Sequence, residues 1–131
     1  VLGLGKVGTL AARLLHLAGF RVTAWDSRRP RETLPFEVVE ADLAQDTALA
    51  RITHAADAVL SCLPYHLNRR VAEAAHAGGL HYFDLTEDVP TTQAIRELAR
   101  TARGLMAPQC GLAPGFVGIV GAAQAAAFDR C

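Results

Sequence analysis

The chain has 131 residues, of which 51% are hydrophobic and 20% charged, a composition typical of one globular domain that is large enough to bury a core. The number of Lys and Arg residues, 13, equals the number of Asp and Glu residues, so the chain lacks the positive excess that attracts nucleic acid or an anionic membrane. We therefore expect neither as a partner.

The cysteines and histidines argue against a disulfide framework and a metal site. Cys62, Cys110 and Cys131 are odd in number and lack the close pairing of a zinc site or a secreted disulfide scaffold. This pattern favours a reducing cytoplasm as the location. Four histidines show no ligand spacing with a carboxylate or a cysteine, so we predict no metal: His54, His66, His76 and His81.

The first residue of the chain and its apolar tract near the end bear on two questions, namely whether the chain is a fragment and whether it crosses a membrane. Val1 already lies inside the predicted first strand, so we expect that a start methionine and part of that strand are missing and that the chain is a fragment. The apolar tract 111–128 is near transmembrane length. Its many Ala and Gly residues, the Pro114-Gly115 pair and Gln124 favour a buried helix instead.

The chain begins with a Gly-x-Gly-x-x-Gly motif that follows an apolar pair, Val1-Leu2. In a dinucleotide-binding turn, the first glycine allows a tight turn and the second lets the phosphates approach the backbone. The third lets the following helix pack closely against the strand. These positions are Gly3, Gly5 and Gly8 here, and because so short a pattern also arises by chance, its context decides the interpretation.

That context favours nucleotide binding. The apolar residues that follow the glycines have the spacing of a buried helix face closed by Gly19, namely Val7, Leu10, Ala11, Leu14, Leu15 and Ala18. Residues 20–25 then predict a second strand that ends at Asp26, about twenty residues after the glycines, where an acid accepts hydrogen bonds from the adenosine ribose. The alternative is a strand, turn and helix whose glycines serve packing only.

The polar loop after Asp26 bears on the choice of cofactor. Arg28 and Arg29 could hold the 2′-phosphate of NADP, or they could belong to a solvated loop. Asp26 would repel that phosphate, so we expect NAD as the cofactor, with NADP as the alternative.

The next segment predicts a third strand and a second helix. Residues 36–40 predict a short third strand. Asp42 with Gln45 three positions later has the pattern of a helix N-cap, and the helix is expected to run to about His54. Asp42 near the adenine is the alternative.

Residues 57–63 form a nearly continuous apolar run, as expected for a central parallel strand with both faces covered. Pro64 ends it. In a doubly wound sheet the carboxyl end of this strand faces the cofactor crevice, so we expect the following residues to line the site: Ser61, Cys62, Leu63, Pro64 and Tyr65. Tyr65 is equally well explained as an ordinary aromatic at a helix start.

The last third of the chain continues the alternation with a helix over 66–78 and a strand over 80–85. A helix that follows Pro90 and is ended by Gly104 comes next, and then a strand over 105–108. Asp84, near the end of its strand, either orients a cofactor or substrate group or caps Thr86 and neighbouring amides. The turn over 109–115 opens an apolar helix, whose free amides are expected to point into the crevice.

Taken together, these motifs resemble the saccharopine dehydrogenase superfamily, which includes lysine ε-dehydrogenases. The resemblance rests on Gly3 to Gly8 with Asp26, the strand 57–64, the segment 81–84, and Cys110-Gly111-Leu112-Ala113-Pro114-Gly115. It implies that residues 1–131 are an NAD(P)-binding domain of the α/β class, with a doubly wound Rossmann-type parallel sheet flanked by helices on both faces. Members continue into a second domain that carries much of the substrate pocket, so the resemblance implies a fragment without its substrate domain.

The resemblance also implies roles for individual residues. Gly3, Gly5, Lys6, Val7 and Gly8 would bind the pyrophosphate, and Asp26 the ribose, with Ser27 beside it. Leu63 and Pro64 would lie beside the nicotinamide half of the cofactor, next to Cys62. The substrate-side candidates for catalysis are Tyr65, Asp84 and Cys110.

The function implied is that of an oxidoreductase acting at the C–N bond of an amino acid of the lysine or saccharopine type, in the cytoplasm, with a homodimer as one assembly open to the full-length protein. Two alternatives remain at this point. One is a regulatory module that binds a dinucleotide without turnover. The other is a polyamine-pathway reductase similar to carboxynorspermidine synthase or homospermidine synthase.

Overall fold

A computed structural model of the chain describes residues 1–128, in which helices and parallel strands alternate. Cys131, one of the three cysteines considered above, lies outside the described residues, as does the end of the predicted 1–131 domain. In chain order the elements are α1 (Lys6–Leu17), β1 (Thr23–Asp26), β2 (Glu37–Glu40), α2 (Asp46–Ala55), β3 (Ala58–Ser61), α3 (Tyr65–Gly78), β4 (His81–Asp84), α4 (Val89–Ala99), β5 (Met106–Ala107) and α5 (Phe116–Ala125).

The strands form a parallel sheet whose two halves are joined at Leu2. β1 pairs with β2, and β3, β4 and β5 pair in that order. Leu2 bridges Trp25 of β1 and Ser61 of β3, and its amide and carbonyl bond Leu60 and Cys62 at 2.9 and 2.8 Å. β1 therefore lies on one side of Leu2 and β3 on the other. The direction in which strands are added reverses at Leu2, so the switch point of the sheet lies directly beyond this residue.

Helices cover both faces of the sheet, which confirms the predicted fold class. Ser61 donates a hydrogen bond to Asn68 of α3 at 2.7 Å. The next residue, Cys62, points to the other face because successive side chains of a strand alternate, and there a Cβ atom at Gly8 of α1 would lie 3.2 Å from the Cys62 Cβ. Helices α1 and α3 thus lie on opposite faces.

The main hydrophobic core lies between the sheet and the layer formed by α2, α3 and α4. Tyr82 of β4 and Ile95 of α4 are fully buried there, and burial of one such side chain contributes about 1.5–3 kcal/mol. Asp88 begins α4 by accepting a hydrogen bond from the Thr91 amide at 2.9 Å, and Pro90 occupies the first turn, where a missing N–H has no cost. The cluster comprises Leu2, Trp25, Leu43, Ala48, Leu49, Ile52, Val59, Val71, Ala72, Ala75, Leu80, Tyr82, Ile95 and Met106.

Helix α1 does not bury the face that its apolar spacing predicts. Its buried residues are Gly8 and Ala12, whereas Val7, Leu10 and Leu14 are more than half exposed. Small residues let the helix backbone approach the sheet closely, so the contact uses the small face and turns the apolar stripe outward. The prediction of the helix itself is confirmed, and that of its buried face is wrong.

The expectation of a buried helix in the tract 111–128 is also wrong for this structure. Helix α5 contains no buried residue, and Ile119 is 73% exposed. An apolar composition favours the burial of a helix, but it does not show by itself that another element packs against the helix. Within residues 1–128, no helix combines the length and apolarity needed to cross a membrane.

Replacing Gly8 with alanine tests the close approach of α1 to the sheet. The added Cβ atom would overlap the Gly3 carbonyl oxygen, a backbone atom that cannot rotate away. We expect a loss of about 3 kcal/mol in the free energy of unfolding, measured by urea denaturation. Gly118→Ala in α5 is the matched control, because nothing lies within 4 Å of its Cβ position. A Gly8→Ala protein as stable as the wild type would show that this approach is not a constraint.

Candidate cofactor-binding site

The site begins where the chain turns from Leu2 into α1. Gly3 has a φ of +85°, and its amide bonds the Trp25 carbonyl at 2.8 Å. Gly5 stands at the N-cap of α1, and among residues 1–128 no side chain caps the helix there. The first turn also contains no acidic residue. The helix dipole and the first amides of α1 therefore favour an anionic group at this end.

The three motif glycines have different reasons to lack a side chain. A Cβ atom at Gly3 would lie 3.0 Å from the Cys62 carbonyl oxygen, and one at Gly8 would overlap the Gly3 carbonyl. A Cβ atom at Gly5 would meet nothing within 4 Å. Packing within the chain therefore accounts for Gly3 and Gly8, whereas Gly5 leaves open space directly in front of the helix, the position that a pyrophosphate takes in a dinucleotide-binding turn.

Asp26 lies against this turn. One carboxylate oxygen, Oδ2, accepts a hydrogen bond from the Leu4 amide at 2.6 Å, and the other, Oδ1, accepts from the Arg28 amide at 3.0 Å. The Ser27 hydroxyl is 3.4 Å from Oδ1. No local sequence pattern predicts the bond to Leu4, because the two residues lie 22 positions apart. It joins the predicted ribose acceptor to the predicted phosphate turn.

The residues after β3 form the neighbouring wall. Cys62 is half-buried beneath the glycine turn, and the Leu63 side chain would lie 3.1 Å from a Cβ atom at Gly3. Pro64 is exposed at the N-cap of α3. Tyr65 begins α3, is 57% exposed, and has its ring edge-on to His66. The structure thus brings Cys62 and Leu63 to the glycine turn and leaves Tyr65 facing solvent.

Asp84 is fully buried, and both of its carboxylate oxygens accept hydrogen bonds within the protein. Oδ2 accepts from the Tyr82 hydroxyl at 2.8 Å. Oδ1 accepts from the amides of Thr86 and Gln109, each at 3.0 Å. Of the two alternatives at this position, the structure shows the capping of Thr86.

Cys110 is exposed and directly follows Gln109 in the chain. Its own amide donates to the Asp84 carbonyl at 2.8 Å, and its thiol is 3.3 Å from the Ala107 carbonyl. The catalytic roles of Tyr65, Asp84 and Cys110 stay predictions.

The thiols near the site favour the neutral form. Burial raises the pKa of the Cys62 thiol. Burial, followed by the negative charge of Asp84, raises the pKa of Cys110. Since the thiolate is the reactive form, neither cysteine is activated as a nucleophile in this structure. The same two effects raise the pKa of Tyr82, which remains a hydrogen-bond donor to Asp84.

The turn before α2 differs from the predicted helix N-cap. Asp42 accepts hydrogen bonds from the Ala44 amide at 3.0 Å and from the Gln45 side chain at 3.2 Å, but α2 begins only at Asp46. Asp42 therefore closes the turn that precedes the helix and does not cap the helix.

The sequence predicts free amides at the 109–115 turn, directed into the crevice. Those of Gln109 and Cys110 donate to Asp84, and that of Phe116 donates to Gly111 at 3.0 Å. These amides are engaged within the protein, so they differ from the uncapped end of α1.

Comparison with known proteins agrees with this geometry. Over residues 1–107 the chain matches the family described as the saccharopine dehydrogenase NADP binding domain, and it belongs to that family. It is an NAD(P)-binding domain. A search of curated proteins gives no match.

Two solved structures show the fold. Apo saccharopine dehydrogenase (L-Glu forming) from Saccharomyces cerevisiae is similar with a TM-score of 0.75 and 18% identity, over 96% of this chain and 30% of that one. The NAD(P)-binding domain of an exopolyphosphatase-related protein from Archaeoglobus fulgidus is similar with a TM-score of 0.68 and 17% identity, over 98% of this chain and 96% of that one. The chain thus spans less than a third of the length of the yeast enzyme.

Gly5→Val tests whether the open space before α1 receives the ligand. A Cβ atom at Gly5 would meet nothing within 4 Å, and the valine methyl groups would extend into the open space. We therefore expect an unchanged fold by circular dichroism and a loss of NAD(H) binding of at least about 100-fold by calorimetric titration. Gly121→Val in α5 is the matched control, because its added side chain also starts in open space. Retained affinity in Gly5→Val would mean that the glycine motif is structural only.

Proposed function

We propose that this member of the saccharopine dehydrogenase family binds NAD across the carboxyl edge of its sheet, as the cofactor-binding half of an oxidoreductase that acts at the C–N bond of an amino acid. The observation that carries the proposal is the open space at Gly5, bounded by the uncapped end of α1 and by the Asp26 carboxylate. The residues proposed for cofactor binding are Gly3, Gly5, Lys6, Val7, Gly8, Asp26, Ser27, Cys62, Leu63 and Pro64.

In this proposal, the two halves of the cofactor lie on opposite sides of the glycine turn. Asp26 at the end of β1 would accept hydrogen bonds from the adenosine ribose, since one of its oxygens already accepts the Leu4 amide and carries further lone pairs. The nicotinamide half would then extend over the ends of β3 and β4, beside Leu63. The bound nicotinamide supplies hydride transfer, and the protein groups bind and orient it.

NAD is proposed as the preferred cofactor over NADP. A 2′-phosphate at the adenosine ribose would stand next to the Asp26 carboxylate, and repulsion between charges about 4 Å apart costs about 1–4 kcal/mol near a protein surface. The Arg29 guanidinium, one of the two candidates for phosphate binding, instead donates to the Val38 carbonyl at 3.1 Å. Arg28 approaches Asp26 through its backbone amide.

We expect NAD(H) to bind at least about tenfold more tightly than NADP(H) in fluorescence or calorimetric titrations, because of this repulsion. Asp26→Asn removes the charge and keeps an acceptor oxygen, so it should reduce the difference between the affinities for NAD(H) and NADP(H). Equal or tighter binding of NADP(H) by the wild type would overturn the preference and make Arg28 or Arg29 the phosphate ligand.

The substrate class is proposed to be an amino acid of the lysine or saccharopine type, with Tyr65, Asp84 and Cys110 on the substrate side. The chain corresponds to 30% of the yeast enzyme whose fold it shares, so much of a comparable active site would come from elsewhere. Holding the reacting carbon against the nicotinamide supplies roughly 7–11 kcal/mol of the barrier in well-oriented reactions. One open side of a crevice does not provide that positioning. A cytoplasmic location and a homodimer of the full-length protein remain expectations of this proposal.

Residues 1–131 alone are expected to bind cofactor and to show no turnover. The test is incubation of the purified chain with NAD or NADP and either lysine or saccharopine, followed by nicotinamide absorbance. The intact yeast enzyme named above serves as a positive control for the saccharopine assay. Sustained turnover by the isolated chain would contradict the need for further substrate-binding structure.

A dinucleotide-binding module without turnover is the second candidate. The Archaeoglobus structure supports it, because that chain is an NAD(P)-binding domain of nearly the same extent and is described as part of an exopolyphosphatase-related protein. A polyamine-pathway reductase is a further alternative within the same superfamily. A substrate panel on a longer gene product, including polyamine precursors beside lysine and saccharopine, separates these functions.

A further inference from the structure

A chain of buried hydrogen bonds links β3 to β4 through α3, on the side of the switch point opposite to β1. Ser61 donates to the Asn68 side chain at 2.7 Å, and the Tyr82 hydroxyl lies 3.3 Å from the Asn68 carbonyl and 2.8 Å from Asp84 Oδ2. All four residues are at most 1% exposed. Their mutual bonds fix the orientation of Asp84, which leaves its second oxygen directed at the loops beyond β4 and β5.

The second oxygen, Asp84 Oδ1, connects two loops through hydrogen bonds. Asp84 Oδ1 accepts from Thr86, in the loop after β4, and from Gln109, in the loop after β5. The Asp84 carbonyl accepts the Cys110 amide as well. Gln109 has a φ of +66°, the only positive value of a non-glycine residue in the described chain, and such a conformation persists where surrounding contacts enforce it.

The loop that Asp84 holds continues as a compact turn into α5. Gly111 lies against Leu85, and a side chain at Gly115 would overlap the Gly111 carbonyl. The bonds from Gln109 and Cys110 to Asp84 therefore set the position of the whole segment 109–115 relative to the sheet.

This segment lies on the side of the switch point opposite to Asp26. The sheet order places β1 on one side of Leu2, and β3, β4 and β5 successively on the other. A dinucleotide with its adenosine ribose at Asp26 and its pyrophosphate at Gly5 must extend its other half toward the ends of β3 and β4, where 109–115 forms the next wall.

We propose that Asp84 is a positioning residue that fixes the 109–115 segment as the wall for the nicotinamide half of the dinucleotide. This inference rests on the proposed function, because it takes the site of the adenosine half as given. Asp84 acts through the amides of Gln109 and Cys110 and does not touch the cofactor or the substrate, since its oxygens are buried and engaged. In this proposal Asp84 orients the segment, which is an alternative to the catalytic role predicted from the sequence; that role stays a prediction.

The test compares NAD with ADP-ribose, which has the same adenosine and pyrophosphate but lacks nicotinamide. Wild type is expected to bind NAD more tightly than ADP-ribose. Asp84→Ala should weaken NAD binding about tenfold and change ADP-ribose binding less than about twofold. Asp84→Asn keeps an acceptor for the two amides and should restore the wild-type ratio, because the Tyr82 hydroxyl can accept from the new amide.

Two controls separate this role from a loss of stability. Ile52→Val removes a buried methyl group from α2, outside this network, and it should lower the melting temperature without changing the ratio of the NAD and ADP-ribose affinities. Asp26→Ala should weaken both ligands by the same factor. An unchanged ratio in Asp84→Ala, or equal affinities of wild type for both ligands, overturns the proposal. Failure of ADP-ribose itself to bind wild type would instead refute the proposed function.

Amide hydrogen exchange in the wild type provides a test that does not depend on the folding of a variant. NAD should slow exchange in the segment 109–115, whereas ADP-ribose should slow it only near residues 4–8. Equal protection of 109–115 by both ligands contradicts the proposal.

Discussion

The arrangement of the domain depends on how closely α1 approaches the end of the first strand. There is no room for a Cβ atom between Gly8 and the Gly3 carbonyl, and Gly3 takes a left-handed φ to make the turn. This contact holds the first amides of α1 at the carboxyl edge of the sheet, beside the switch point. It also explains why α1 presents Gly8 and Ala12 to the sheet and keeps its larger apolar residues outside.

Each side of that edge is organised by one aspartate at the end of a strand. Asp26 ends β1 and accepts a hydrogen bond from the Leu4 amide, which ties the glycine turn to the residue proposed to bind the ribose. Asp84 ends β4 and binds the loops after β4 and β5. The Asp26 carboxylate is partly exposed and remains accessible to a ligand. The Asp84 carboxylate is buried and accepts hydrogen bonds from backbone amides. The roles proposed for these two aspartates, each the last residue of a parallel strand, differ because their burial differs.

The features that could be predicted from the sequence are those encoded over short distances. The glycine motif, the helix after it, the strand ending at Asp26 and the apolar run 57–63 follow local patterns, and their order determines the sheet. The contacts that could not be predicted are tertiary. No pattern links Leu4 to Asp26 or Asp84 to Gln109, and the apolar spacing of Leu10 and Leu14 does not reveal that glycine and alanine make a closer contact. Asp42 shows the same limit, since a capping pattern serves a turn as well as a helix.

The central claim is that a dinucleotide binds over Gly5 between Asp26 and the end of β3. The most direct measurement is titration of the isotope-labelled chain with NAD by NMR, following each backbone amide. The account predicts the largest changes at Leu4 to Gly8, with a change at the Leu4 amide because its bond to Asp26 is perturbed when the ribose binds. Changes confined to residues distant from the carboxyl edge, with the amides of 4–8 unaffected, would contradict it.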